Sequence, residues 1–360
     1  MTGVVIVGGA GTRLRPLTYL RPKAMMPLAN KPLLQYHVEL LRRHGVSDVV
    51  FCCGADTAAI RSHFGTGEQF GVRIAYSVES RPLGTAGAVR CAEPHFQHDT
   101  LIVMNGDSLM DYDLSAAVRF HHERKADVTI GLAEVPRPTP CGVVKTDSQG
   151  RVLSFEEPDT ETKRMLAGKN DAGKGSAIVN SGVYVISRSA LHIIPFGVEC
   201  SIEKEFFPSV ISGGSRVYGF HMSGYWLDIG DPARYLQAHH DLLAGKVDAE
   251  MCGERTRDGY WTVGEARIDP TAEVTPGAHL AAGCGIGPGA RIAGLASIGT
   301  GCTIGARSVL DGCVLLENVS VGEDCLLRRC IVDRDTRIGD GVRLADQSVV
   351  GAGSTIVATR

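Results

Sequence analysis

The chain has 360 residues, 44% of them hydrophobic, enough for two domains with cores of their own. Its 40 acidic residues stand against 37 basic ones, which excludes the electrostatic footprint of a nucleic-acid-binding or anionic-membrane protein. No apolar run approaches membrane-spanning length, and the first strand begins so near Met1 that no signal peptide fits, so a cytoplasmic location is expected. The eleven cysteines are odd in number and form no C-x-x-C pair. In a reducing cytosol they read as small buried hydrophobes rather than disulfides or a zinc site.

In chain order, strand patterns fall at Val4–Val7, Asp48–Cys53, Val72–Ser77, Thr100–Met104, Val128–Val135 and Ile178–Ile186. Helical patterns intervene, such as Pro32–His44, with Pro32 suited to a first turn and Gly45 to an exit. Such alternation predicts an α/β domain with a mixed, mostly parallel sheet and helices on both faces. Asp159 to Ser176 is polar and glycine-containing and reads as a mobile loop beside the acceptor pocket. Ser201–Ile211 and Pro232–Leu243 read as helices, the second closing the first domain near Gly245.

From Ile268 the pattern changes. Aliphatic residues recur every sixth position, at Ile268, Val274, Leu280, Ile286, Ile292, Ile298, Ile304, Leu310 and Leu316, then at Leu326, Val332, Ile338, Leu344, Val350 and Ile356. Neither a helix nor an ordinary strand has that period; hexapeptide repeats signal a parallel β-helix, here of the left-handed kind. Cys284 and Cys302 stack on one face as packing residues, and the slip near Val314–Ser320 predicts a loop or irregular coil. The expected domains are 1–245, a linker over 246–264, and a β-helix over 265–360. Coil edges need cover, so a homo-oligomer is expected.

The segment Ile6 to Pro32, IVGGAGTRLRPLTYLRPKAMMPLANKP, carries the chemistry. Gly8, Gly9 and Gly11 follow a strand and let the backbone approach a ligand closely, and successive N–H groups in such a turn make an anion-binding concavity. Arg13 adds a planar fork and Lys23 a mobile point charge, and a polyphosphate is the natural guest. A dinucleotide fingerprint would want a third glycine where Leu14 stands. Further on, strand Thr100–Met104 runs into Asn105-Gly106-Asp107, an aspartate at the carboxyl end of a central strand.

Gly8 to Pro27 resembles the signature of the sugar-1-phosphate nucleotidyltransferases, GG-x-GTRL-x-PLT-x-x-x-PK-x-x-x-P. The resemblance implies a Rossmann-like nucleotidyltransferase domain that joins a nucleoside triphosphate to a sugar 1-phosphate with Mg²⁺ and releases pyrophosphate. It makes Gly8, Gly9, Gly11 and Thr12 the nucleotide loop and Arg13 and Lys23 the catalytic cations. Asp107 matches the family's metal-binding aspartate. Asp228, in Tyr225-Trp226-Leu227-Asp228-Ile229-Gly230-Asp231, matches the second metal ligand of W-x-D-x-G-T, with Asp231 in place of threonine. Glu79 and Pro82–Ala88, with Gly84 and Thr85, resemble the base-recognition segment, and Thr85 is placed to cap the helix that follows. Gly142 and Asn180 resemble residues of the acceptor pocket.

One departure stands out. The family's E-K-P is Glu156-Glu157-Pro158 here. Glu156 fits the sugar-hydroxyl role, whereas Glu157 replaces the lysine that meets the sugar phosphate. Either Glu157 points away and Lys145, Lys169 or Lys174 serves instead, or the acceptor is altered, for instance to a cyclitol 1-phosphate. Ser201–Pro208 and the short repeat tail resemble the mannose-1-phosphate guanylyltransferase branch, which favours GTP and mannose 1-phosphate. Thymidylyl, adenylyl and uridylyl transfer to glucose 1-phosphate are the alternatives, as is a silent regulatory subunit, although Arg13, Lys23, Asp107 and Asp228 are all present. The tail lacks a histidine beyond His279, which argues against acetyl transfer.

Overall fold

A computed structural model describes residues 1–9, 11–136, 141–158, 161–162 and 175–358. They divide into two compact units, Met1–Gly8 with His37–Trp226, and Gly9–Tyr36 with Leu227–Arg360. Most of the Asp159–Ser176 segment, with Lys169 and Lys174, lies outside the described residues.

The first unit is built on a mixed sheet of nine strands: β1 (Thr2–Ile6), β2 (Asp48–Cys53), β3 (Arg73–Val78), β4 (Thr100–Asn105), β5 (Val128–Pro136), β6 (Val143–Thr146), β7 (Val152–Glu156), β8 (Ser176–Ser187) and β9 (Val217–His221). The order is β7-β6-β8-β4-β1-β2-β3, with β5 branching from β8 and β9 pairing with β5. The run β4-β1-β2-β3 is parallel, and β8 joins it antiparallel to β4. Val4, Val5, Val49, Val50, Phe51, Ile102 and Val103 are each no more than 1% exposed. Neighbouring residues of a strand face opposite ways, so both faces are covered. One cover is α3 (Gly84–Cys91), which comes after α2 (Ala58–Phe64) in the chain and whose Ala86 and Val89 join Val4, Val50 and Val103 in the core. On the other face a Cβ at Gly3 would press on Leu41 of α1 (Leu33–Arg43) at 2.8 Å.

Two local expectations are corrected. Pro32 sits in a two-residue strand, Lys31–Pro32, and α1 starts one residue later. The expected helix at Ser201–Ile211 is instead a π-helical turn, Ile202–Phe206, followed by a short α-helix, Phe207–Ser212. Pro208 has no N–H with which to continue a regular ladder there. Ser201 caps the turn by accepting a bond from the Lys204 amide at 3.2 Å.

In the second unit, short strands from Glu254 to Ile356 form three sheets, parallel apart from the opening pair Glu254–Arg255 with Trp261–Thr262, which fits a β-helix. Rungs begin at Trp261–Thr262, paired with His279–Leu280, ahead of the expected start at 265. Partners are 18 residues apart in the first coils, as Ile268 with Ile286, 17 apart in the middle ones, as Ile298 with Leu315 and Val321 with Ile338, and 18 again at the end, as Val332 with Val350. Of the two expected alternatives the slip is therefore the irregular coil, not a loop. The corner at Gly312, with φ of +59°, is one residue shorter, and Arg329, with φ of +40°, repeats it in the next coil. Leu315 and Leu327, not Leu316 and Leu326, thus join the core. Cys284 and Cys302 are wholly buried in it, as expected, and the eleven cysteines are all free.

Candidate active site

Parallel strands of the first unit deliver three of the expected residues to one edge. β1 ends at Ile6, just before Gly8; β3 ends at Val78, just before Glu79; β4 ends at Asn105, two residues before Asp107. Open α/β sheets hold ligands at that carboxyl edge. A Cβ at Gly8 would meet nothing within 4 Å, so the space beside it is open. Gly106 donates to the Ile6 carbonyl at 2.9 Å, which seats the Asp107 turn against the end of β1. A cavity of about 590 Å³ lined by Asp48, Arg73, His95 and His98 lies at the other, amino-terminal edge and takes none of the motif residues.

Glu79 is partly buried, and burial pushes its pKa up while a bond from the Leu83 backbone pulls it down. Its Oε1 is shielded and has no partner among the described residues. Gly84 has φ of +68°, and a Cβ there would stand 2.6 Å from the Cys200 carbonyl oxygen, so only glycine permits this approach. Thr85 does not cap α3. It lies inside the helix's first turn, donates to Glu203 at 3.2 Å and accepts from the Ile202 amide at 2.7 Å. Leu83 takes the N-cap position, and the free amides of Ala86 and Gly87 turn to the Cys200 carbonyl instead.

Asn180 is held from both ends. Its oxygen accepts from Gly182 at 2.9 Å, its amide donates to Tyr184 Oη at 2.8 Å, and its backbone donates to the Gly142 carbonyl. Tyr184 in turn donates to Glu203 at 3.4 Å, and its burial raises its pKa. Glu156 and Glu157 part company, as adjacent residues of extended chain must. Glu156 is exposed and pairs with Lys145, one of the candidate substitute cations. Glu157 turns in: a Cβ at Gly142 would overlap its carboxylate and crowd the Phe155 ring. Its charge also reaches Tyr184.

The second unit holds the rest. Gly9 and Gly11 have φ of +126° and +55°, and Gly11 begins a single 3-10 turn, Thr12–Leu14. Thr18 closes the loop by donating to the Gly11 carbonyl at 2.8 Å, and a Cβ at Gly11 would lie 3.3 Å from Cβ of Lys23. Arg13 and Asp228 meet over Gly230, where a Cβ would stand 3.2 Å from the guanidinium and 2.9 Å from the carboxylate. Arg234 also reaches Asp228, at 3.4 Å. Asp231 explains its own departure from threonine: its side chain caps the helix α4 (Pro232–Leu243) by accepting from the Arg234 amide at 2.9 Å. Either residue type does that work.

Residues 2–245 match the family described as nucleotidyl transferase, and residues 262–359 match the GMPPB C-terminal domain. The chain belongs to the nucleotidyltransferases. This transferase is 34% identical over 332 residues to a mannose-1-phosphate guanylyltransferase of Mycobacterium tuberculosis, covering 91% of this chain and 82% of that one. It is 33% identical over 366 residues to a mannose-1-phosphate guanyltransferase of Aspergillus fumigatus, covering 99% and 92%. It is also 30% identical to a UTP–glucose-1-phosphate uridylyltransferase of Synechocystis, covering 98% and 87%. Among solved structures, HddC from Yersinia pseudotuberculosis, described also in complex with GMP-PN, is 25% identical. The structure without that ligand matches with a TM-score of 0.57 over 67% of this chain and 99% of its own.

The nucleotidyltransferase is an enzyme of the EC 2.7.7 type, and its family acts on a nucleoside triphosphate and a sugar phosphate. Nucleotidyltransferases of this kind generally use a divalent metal. Among the described residues no group of three or more His, Cys, Asp or Glu side chains could hold one. Two carboxylates suffice for Mg²⁺ when phosphate oxygens and water complete its shell, so the donor chemistry fits. No helix among them is long and apolar enough to cross a membrane. Sequence reasoning missed Arg234, Glu203 and Tyr184. Only Arg234 left a signal, three residues after a helix-capping aspartate and six after Asp228. His279 is wholly buried, bonded to Asn30 at 2.8 Å and the Cys252 carbonyl at 2.9 Å, which leaves it no part in acyl transfer.

Proposed function

We propose that this nucleotidyltransferase moves a guanylyl group from GTP to mannose 1-phosphate. Glu79 carries the choice of base. An ionised carboxylate only accepts hydrogen bonds, and guanine is the base whose pairing edge presents two adjacent donors, the ring N–H and the exocyclic amine. Uracil and thymine offer one donor between two acceptors. The two mannose-1-phosphate relatives, aligned over 91% and 99% of the chain, support the same pair of substrates.

In the reaction a phosphate oxygen of the sugar phosphate bonds to the α-phosphorus, the bridge to the β-phosphate breaks, and pyrophosphate leaves in line. The attacking phosphate is already ionised near neutral pH, so no general base is needed, and positioning and charge stabilisation do the work. Arg13 steadies charge at the α,β bridge and Lys23 holds the phosphates. Gly8, Gly9, Gly11 and Thr12 cradle the triphosphate, and Gly84 and Thr85 shape the base segment with Glu79. Asp107 and Asp228 would hold Mg²⁺, which supplies charge neutralisation when bound. Gly142 and Asn180 frame the acceptor, with Glu156 as the sugar-hydroxyl ligand of the proposal even though it pairs with Lys145. We also place the enzyme in the cytoplasm as a homo-oligomer.

A second reading of the acceptor rests on Glu157, whose inward carboxylate stands where the family has a cation; an altered acceptor such as a cyclitol 1-phosphate is compatible with it. The test is pyrophosphate release with Mg²⁺, crossing five nucleoside triphosphates with mannose, glucose and cyclitol 1-phosphates and using Asp107→Ala as blank. Release requiring GTP and mannose 1-phosphate supports the proposal. Release with the cyclitol alone transfers the acceptor to the second reading, and silence everywhere refutes both.

A further inference from the structure

The loop between Arg13 and Lys23 is made of short turns, with Leu17 donating to the Leu14 carbonyl at 3.2 Å and Tyr19 to the Pro16 carbonyl at 3.1 Å. Two single 3-10 turns, Thr12–Leu14 and Lys23–Met25, bracket it, and Tyr19 and Leu20 at its tip are each 65% exposed. Leu14 and Leu17 are its buried anchors. Yet the segment links the two cations directly, so any displacement of its tip moves both.

What fixes the tip is one corner of three successive coils. Arg21 Nη2 donates to both carboxylate oxygens of Glu317, at 2.8 and 2.9 Å. One coil on, Arg334 donates to the Leu20 carbonyl at 3.0 Å. One coil further, Gly351 lies so close to Pro16 that a Cβ would stand 3.2 Å from the ring. The pairing of Leu315 with Val332 and of Val332 with Val350 shows that these three residues come from the same corner. Arg21 has a side chain only 17% exposed, and the charge of Arg21 also acts on the buried Asp333. A guanidinium doubly bonded to a carboxylate and largely out of water holds geometry better than a loose surface pair.

We infer that Glu317 is a positioning residue for nucleotide use: through Arg21 it fixes the tip of the phosphate loop and with it Arg13 and Lys23. The inference rests on the assignment of that loop to the triphosphate. Two readouts separate its failure from failure of that assignment. The first is amide exchange in residues 14–25 of full-length protein, compared between the unaltered chain and Glu317→Gln. Exchange there should rise about tenfold, while residues 84–91 stay unchanged; equal exchange in both proteins would overturn the inference whatever the substrates prove to be. The second is kinetic. Glu317→Gln should raise KM for GTP about 3- to 30-fold, the range of a contact of this kind, with KM for the sugar phosphate unmoved. The exchanged pair Arg21→Glu with Glu317→Arg should recover most of that loss. Equal rises in both KM values would reduce Glu317 to a merely structural part and overturn the positioning role.

Discussion

His239 should make the second unit acid-labile in a measurable way. It is wholly buried, with its ring edge-on to Tyr235 at 4.8 Å, and Nδ1 accepts from the Ala29 amide at 3.3 Å. Burial pushes its pKa from 6.5 down to about 3. The folded value lies below the unfolded one, so between pH 6.5 and about 3 the unfolded chain binds the extra proton. Its contribution is therefore complete above pH 6.5 and lost as the pH falls through that window. At about 1.36 kcal/mol for each tenfold change in proton affinity, the loss reaches about 3 kcal/mol by pH 4 and about 5 kcal/mol at the bottom of the window. The comparator is His239→Asn, which keeps an acceptor near the Nδ1 position but cannot titrate. The two tryptophans fall one in each unit, so Trp261 fluorescence in a Trp226→Phe background reports on this unit alone. Urea unfolding at pH 7, 6, 5 and 4 should show the asparagine variant weaker at pH 7, with its disadvantage shrinking by about 3 kcal/mol at pH 4. Parallel curves for the two proteins across that range would refute the reasoning, because His239 would then titrate alike folded and unfolded.

Three further outcomes are expected. Glu79→Gln swaps an acceptor-only group for one that also donates, and should lower kcat/KM for GTP about 30-fold while leaving UTP nearly unchanged, which the same pyrophosphate assay reads. Thr85→Val leaves the Ile202 amide without an acceptor and should cost about 1–3 kcal/mol of the first unit's stability by urea titration on Trp226 in a Trp261→Phe background. Asp231→Ala should destabilise the second unit by about 1 kcal/mol while Asp231→Thr should be close to neutral, by thermal unfolding, because the cap and not the charge is what α4 uses.

Much of this enzyme could be read from one-dimensional pattern. The parallel strands carry unbroken aliphatic runs that only a doubly covered sheet tolerates, and Asp48–Cys53 and Pro232–Leu243 fall at the expected residues. The turn at Gly9 and Gly11 was legible because these glycines, both at positive φ, are close in sequence. Tyr184 and Glu203 were not, since they meet Asn180 and Thr85 through contacts between segments up to 118 residues apart. The opposed directions of Glu156 and Glu157 depend on where β7 ends, and Thr85 was misassigned because α3 starts at Gly84. Boundaries shifted by a single residue change which side chain serves.

The same sensitivity explains the β-helix. Counting by sixes keeps Leu316 in the core. The structure removes one residue at Gly312 instead, so Leu315 turns inward and pairs with Val332. That shift aligns Leu316–Glu317 with Asp333–Arg334, and the next coil adds Gly351 against Pro16. A perfectly regular repeat would have moved Glu317 one position off the column of Arg334. Sequences break their own rule where another requirement overrides it. Here the broken period coincides with the coils that hold Arg21 and Leu20, and it sets Glu317 in line with Arg334 along that segment.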